Sequence, residues 1–227
     1  MTNIRNLIDA KHFPLWGILG SVTGIVMILT PMVPYVGTEG EPFSIFTHYV
    51  SQLGDIVVSE LAWMFNLGMM VTGLIFVPFM IGMGLYLENI VGKIAGLVGV
   101  YSGISIFFVG VFPMNYPEHV PVALSFFLSG LIMSILWTLA ILMPNQSKLP
   151  KWISIGGFVN IFFFAAFLYW PYEQIPLLNP PLSLQTTLEW GIYFAIVGFL
   201  FSLALYIWRK ERTTGIGAGT IELSNTP

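Results

Sequence analysis

The stretch LAWMFNLGMMVTGLIFVPFMIGMGLYL, residues 61–87, contains no charged side chain. Because an α-helix rises about 1.5 Å per residue, about 20 apolar residues are enough to cross the roughly 30 Å hydrocarbon core of a bilayer. The stretch therefore predicts a membrane-spanning helix. Five more apolar runs of similar length occur along the chain, and together they predict six spans at about 14–36, 61–87, 92–112, 120–143, 152–170 and 187–208.

The composition of the 227-residue chain agrees with surroundings that are mostly lipid. Hydrophobic residues make up 56% and charged residues 8%, with a mean hydropathy of +0.83. Soluble domains carry about 25% charged residues. The eight Lys and Arg are too few for a nucleic-acid surface, and the lack of cysteine excludes disulfides and thiolate ligands. We predict an all-α, polytopic protein of the cell membrane: a six-transmembrane-helix bundle without a nucleic-acid partner.

The basic residues predict the orientation of this bundle. They precede span one, lie in the connections 2–3 and 4–5, or follow span six: Arg5, Lys11, Lys93, Lys148, Lys151, Arg209, Lys210 and Arg212. Short connections rich in Lys and Arg stay in the cytoplasm. We therefore expect both termini to be cytoplasmic, with residues 1–13 as an N-terminal segment, 14–208 as the transmembrane domain and 209–227 as a disordered tail.

The opposite, extracytoplasmic face collects acidic residues and histidines. Its first connection contains HYVSQLGD, residues 48–55. If residues 43–53 form a short interfacial helix, the spacing i, i+3, i+4, i+7 places four polar side chains on one face. These are His48, Ser51, Gln52 and Asp55.

Two further polar groups are expected at the same depth. In GVFPMNYPEHVPVA, residues 110–123, the prolines break the helices and Glu118 and His119 begin span four. The partial positive charge of a helix N-terminus disfavours a protonated His119, and a neutral imidazole can act as a metal ligand or general base. Glu189 lies in the first predicted turn of span six, where a carboxylate is expected to face the bundle and to have a partner.

These outer groups support two readings. In one, zinc or another divalent ion bound by His48, His119, Asp55 and Glu189 activates water, and the catalytic residues are His119, Glu189, Asp55 and Ser51. An acid–base pair of Asp55 and Glu189 is a variant of this reading. In the other, the groups are structural: Asp55 and Glu118 cap helices, and Glu189 pairs with His119.

The order of these motifs resembles the six-helix membrane family catalogued as domain of unknown function 998. The likeness covers about residues 14–208. Two positions depart from the family pattern: Gln52 stands where Asp is common, and Trp190 where Arg is frequent. A more distant likeness is to the Frag1/DRAM/Sfk1 group, which is associated with lipid organisation and lipid-anchor remodelling. This distant likeness rests on the Ser…Leu-Gly element and the number of spans, whereas the residues that match the motifs of the domain of unknown function 998 are Ser51, Leu53, Gly54, Phe65, Asn66, Gly68, Gly110, Phe112, Pro113, His119 and Glu189.

Three functions are compatible with this sequence. The first is a membrane protein that interacts with lipids or serves as a subunit of a membrane assembly, with an outer pocket formed by acidic and histidine side chains. The second is a metal-dependent intramembrane hydrolase of a lipid ester or amide. The third, a small transporter, is disfavoured because the predicted spans carry no central charged or broken helices.

Overall fold

The computed structural model describes residues 8–143, 148–172 and 182–224, with side chains up to residue 213. Within these ranges the regular structure is helical, apart from an isolated backbone bridge between Val36 and Pro42. Six helices are long and apolar enough to cross a membrane. The predicted all-α fold with six spanning helices is confirmed. We number the helices α1 (Phe13–Leu29), α2 (Ala62–Tyr86), α3 (Ile90–Val111), α4 (His119–Leu142), α5 (Ser154–Tyr169) and α6 (Leu184–Ser224).

Local chemistry explains where the spans depart from their predicted limits. A 3₁₀ turn, Thr30–Met32, extends α1, and the first span ends at Met32 instead of near Val36. The second proline of this stretch, Pro34, lacks a backbone N–H and cannot continue the helix. The last span begins at Leu184 instead of near residue 187, because the Ser183 side chain accepts a hydrogen bond from the Thr186 N–H and caps the helix.

The C-terminal end of α6 also differs from the prediction. The sequence predicted that the span ends at Trp208 and that residues 209–227 form a disordered tail. The helix instead continues through the charged residues 209–212, and its backbone is helical as far as Ser224, while residues 225–227 of the predicted tail lie outside the described residues.

The six helices form a closed ring. Each helix packs against its neighbours in the sequence, and α6 returns to contact both α5 and α1. Large apolar side chains on the outer faces are exposed, including Leu97, Phe162 and Phe194. Such a surface suits contact with lipid tails, while the backbone polar groups are satisfied inside the helices.

Glycines of α2 and α3 allow the backbones of these two helices to approach each other closely. The carbon of a methyl group added at Gly73 would lie 2.5 Å from the Gly103 carbonyl oxygen. The carbon of one added at Gly96 would lie 2.8 Å from the Met80 carbonyl oxygen. Only residues without a side chain allow the two backbones to come this close.

The connections form two ends of different charge. At one end Lys148 Nζ lies 2.6 Å from Glu88 Oε1, and Tyr86 donates a hydrogen bond to Glu211 at 2.8 Å. We call this the basic end, because the alternating directions of the helices bring all described Lys and Arg to it. The opposite, acidic end comprises residues 33–61, residues 112–119 and the first turns of α6.

Candidate functional site

A cavity of about 420 Å³ lies inside the ring of helices. This volume falls within the roughly 300–1,000 Å³ of small-molecule sites. All six helices contribute to its walls, so the cavity is a property of the complete bundle. Most of the lining is aliphatic, aromatic or methionine, as represented by Ile28, Met69, Phe76, Met80, Ile106, Met133, Phe164 and Leu200.

The polar side chains of this cavity are concentrated at the acidic end of the bundle. Deeper in the lumen a few more lie on the wall, including Thr72, Ser102 and Tyr193, whose hydroxyl donates a hydrogen bond to the Gly24 carbonyl at 3.2 Å. The cavity is therefore amphipathic, with an apolar lumen and a polar cap. The side chains of the cap are Tyr49, Ser51, His119, Gln185 and Glu189.

Glu189 is the acidic residue of the cap. Its side chain is buried, with 8% of the residue exposed, and its Oε2 has no hydrogen-bond partner within the described chain. The backbone N–H groups of Val50 and Ser51 interact with the carboxyl group. Because α6 begins earlier than predicted, Glu189 lies in its second turn. The structural reading predicted a pair with His119, but no ion pair joins the two side chains.

His119 is oriented by the turn that precedes α4. Its Nδ1 lies 2.9 Å from the Phe112 carbonyl oxygen. Because a carbonyl oxygen only accepts hydrogen bonds, Nδ1 carries the proton, and in a neutral ring Nε2 is the acceptor nitrogen. The ring is buried and lines the cavity. His119 therefore offers a hydrogen-bond acceptor to the polar cap.

His48 is held by its own loop. The Ser44 N–H donates to Nδ1 at 3.3 Å, so Nε2 is the protonated nitrogen of a neutral ring and faces Glu41 Oε1 at 3.3 Å. The ring also stacks on Phe43. Both ring nitrogens are thus used locally, and His48 is not among the residues that line the cavity.

Asp55 connects two loops at the acidic end. Its Oδ1 accepts hydrogen bonds from Asn115 Nδ2 and the Val57 N–H, both at 2.8 Å. Asn115 Oδ1 in turn accepts the Ile56 N–H at 3.0 Å. This reciprocal contact fastens the first loop to the turn between α3 and α4, and Asp55 does not line the cavity.

The predicted site residues therefore divide into two groups. The structure brings Ser51, His119 and Glu189 to one cavity, whereas His48 and Asp55 lie elsewhere. In the described part of the chain no three His, Asp or Glu side chains are grouped so that they could hold a metal ion. The helix expected over residues 43–53 is also replaced by turns and a 3₁₀ helix, Val50–Gly54, so the predicted shared face does not form.

Several motif residues form contacts between the elements that carry the polar cap. Asn66 Nδ2 donates a hydrogen bond to the Gly54 carbonyl at 3.0 Å. A side chain at Gly54 would collide with Asn66, and one at Gly110 would collide with the Asn66 carbonyl. Leu53 is fully buried beside them. These motif positions interlock the first loop, α2 and α3.

The sequence interpretation did not identify Tyr49 and Gln185 as part of the site. The Tyr49 hydroxyl donates to Gln185 Oε1 at 2.8 Å, and both residues line the cavity. Burial, followed by the charge of Glu189, raises the pKa of Tyr49, so its hydroxyl remains protonated. A signal for Gln185 was present in the sequence, since it lies one helical turn before Glu189.

Comparison with known proteins supports membership of one family. The family model described as "Protein of unknown function (DUF998)" matches residues 21–209, which is most of the chain and includes the cavity-lining helices. No curated protein and no solved structure matches the chain. The chain therefore belongs to the DUF998 family, and it is an integral, multi-pass membrane protein.

Proposed function

We propose that this protein binds one lipid-like amphiphile inside its helix bundle. The hydrocarbon chain would occupy the lumen, and the head group would contact the polar cap of Tyr49, Ser51, His119, Gln185 and Glu189. The observation that carries this proposal is the cavity itself, which is apolar over most of its wall and has its acidic and imidazole groups at one end.

The volume of the cavity supports an occupant. Apolar side chains around a space of about 420 Å³ gain dispersion contacts on that side only when the space is filled. Contacts with a hydrocarbon chain would restore the missing dispersion energy, and a bilayer supplies such chains.

Two residues of the cavity wall are also exposed, as a lateral route for membrane lipids would require. Val120 and Leu124 line the cavity and are also 70% and 46% exposed. Both lie in the first turns of α4, close to the polar cap. A lipid that entered here would keep its head group near the membrane boundary and pass its tail into the lumen.

The charge distribution supports an orientation for the bound lipid. The described Lys and Arg lie at the basic end, and short basic connections face the cytoplasm. Both termini would then be cytoplasmic, and the polar cap would face the extracytoplasmic leaflet of the cell membrane.

A lipid hydrolase has less support as the function. The observation in its favour is that Ser51, His119 and Glu189 line one cavity. However, activation of a nucleophile needs a base within about 2.6–3.2 Å, and the Ser51 hydroxyl instead donates to Met114 Sδ at 3.8 Å. A metal-dependent mechanism would also need His48 and Asp55, whose polar atoms have the local partners described above.

Lipid analysis of purified protein tests the proposal. The wild type, purified in a mild non-ionic detergent, should retain about one lipid per chain, measured by extraction and quantitative mass spectrometry. Ala123→Phe, which fills the cavity from α4, should lose this lipid. Ile132→Phe adds a phenyl ring to an exposed position of the same helix and should retain it. Equal lipid content in the two variants, or none in the wild type, would contradict lipid binding in the cavity.

A further inference from the structure

We infer that the polar cap recognises a primary ammonium group, with Glu189 as its counter-ion. The inference rests on the proposed lipid binding and specifies the chemistry of the head group. It is carried by a buried carboxylate that lines the cavity and that makes no ion pair with a Lys or Arg of the described residues.

The charge of Glu189 is not balanced by a Lys or Arg of the described residues. A buried carboxyl group stays ionised only where a cation or a set of hydrogen bonds compensates the loss of water, and it otherwise takes up a proton. The N–H groups of Val50 and Ser51 supply dipoles, but no Lys or Arg side chain makes an ion pair with Glu189 in the described part of the chain. Arg209, on the same helix, lies 20 residues further along, or about 30 Å at the helical rise. A ligand can supply the missing cation.

The polar cap presents hydrogen-bond acceptors to the cavity. His119 Nε2 accepts in the neutral ring, and the Ser51 oxygen retains its lone pairs because its hydrogen is directed to Met114. Together with Glu189 these atoms form a set of acceptors around one end of the cavity. A primary ammonium group has three N–H donors and no acceptor, and therefore matches the set. A quaternary ammonium offers no N–H, and a phosphate would meet a carboxylate without a basic partner.

Two probes of equal chain length separate the head group from the tail. Dodecylamine and dodecanol are titrated at pH 7 into wild-type protein in non-ionic detergent, and binding is followed by calorimetry. We expect dodecylamine to bind at least about tenfold more tightly, because charge-assisted hydrogen bonds are about twice as strong as neutral ones. Dodecyltrimethylammonium should bind less tightly than dodecylamine.

The variant Glu189→Gln should bind dodecanol as the wild type does and lose the preference for dodecylamine. Glu118→Gln makes the same change in charge at an exposed position and should keep the preference. If the wild type binds both probes equally, the ammonium inference is overturned and lipid binding stands. If the wild type binds neither probe, the proposed function itself is wrong. An amine preference that survives Glu189→Gln would exclude Glu189 as the counter-ion. The comparison of dodecylamine with dodecanol in the wild type tests the ammonium inference even if the Glu189→Gln variant does not fold.

Discussion

Individual side chains at the acidic end differ in role although they share the same chemistry. Glu189 is buried at the cavity, whereas Asp55 is bound within a network of loop hydrogen bonds. Both are carboxylates from the same end of the bundle, and their positions in the sequence do not distinguish them. Their partners do: backbone N–H groups beside a cavity for Glu189, and an asparagine side chain for Asp55.

The contact between Asp55 and Asn115 predicts a measurable coupling. Asp55→Ala should lower the free energy of unfolding by about 1–3 kcal/mol, since it removes a charged acceptor from two hydrogen bonds. Asn115→Ala should have a smaller effect, and the double variant should show a coupling energy of about 0.5–3 kcal/mol in detergent unfolding. Lipid content per chain should stay unchanged. Strictly additive effects, or loss of the lipid, would assign Asp55 a different role.

The loop of His48 predicts a pH dependence. Hydrogen bonds from its own N–H and from the Glu39 N–H, together with His48, hold the pKa of Glu41 below its ordinary value of 4.5. A carboxylate with a lowered pKa in the folded state stabilises the fold above the unfolded pKa, and this contribution is lost as the pH falls through the folded pKa. Between pH 5 and 3 the wild type should therefore lose more thermal stability than Glu41→Gln. Glu39→Gln should follow the wild type, and parallel curves for all three proteins would contradict the role of Glu41.

At the scale of the elements, the packing of α2 on α3 depends on glycines. In Gly73→Ala the new methyl carbon would lie 2.5 Å from the Gly103 carbonyl oxygen and 2.7 Å from the Phe107 nitrogen. The helices would have to separate, and overpacking of this kind costs about 1–3 kcal/mol. A clear fall in the unfolding temperature in detergent is expected.

A matched control for this substitution lies in α6. Apart from the backbone of its own helix and its two chain neighbours, Gly198 has no heavy atom within 4 Å of the position that a Cβ would occupy. Gly198→Ala should therefore be neutral or stabilise the protein by up to about 1 kcal/mol, the difference in helix propensity between the two residues. If both alanine variants lost equal stability, close packing of α2 and α3 would not be the reason for Gly73.

For the whole molecule, we expect the cavity to lower the stability of the fold while it allows a lipid to bind. Ala123→Phe fills part of the lumen, and cavity-filling substitutions commonly stabilise a protein by about 0.5–2 kcal/mol. The delipidated variant should therefore unfold at a higher temperature than the delipidated wild type. Addition of lipid should raise the unfolding temperature of the wild type only. A variant that is less stable and still binds lipid would show that the lumen is not the binding site.

The sequence alone established that the protein is surrounded mostly by lipid and that it is built from six spanning helices. Hydropathy and charge placement are local properties of the chain. An apolar run has to be long enough to cross the bilayer whatever its contacts in the folded protein. The six helices and the gathering of the described basic residues at one end follow from such local properties, and the family follows from the motifs between the spans. Ser51, His119 and Glu189 were identified for the same reason, because polar groups are rare at the edges of apolar spans.

Only the tertiary structure decided which of these groups meet. His48 and Asp55 were predicted to join the site, but hydrogen bonds with Glu41 and Asn115, at 3.3 and 2.8 Å, hold them in the loops. Trp190, at the predicted membrane boundary, is buried and donates to the His48 carbonyl at 3.0 Å. The cavity has no signature in the chain, because its walls come from all six helices. Packing between residues far apart in the sequence determines a lumen of this kind, whereas hydropathy and helical period describe one helix at a time.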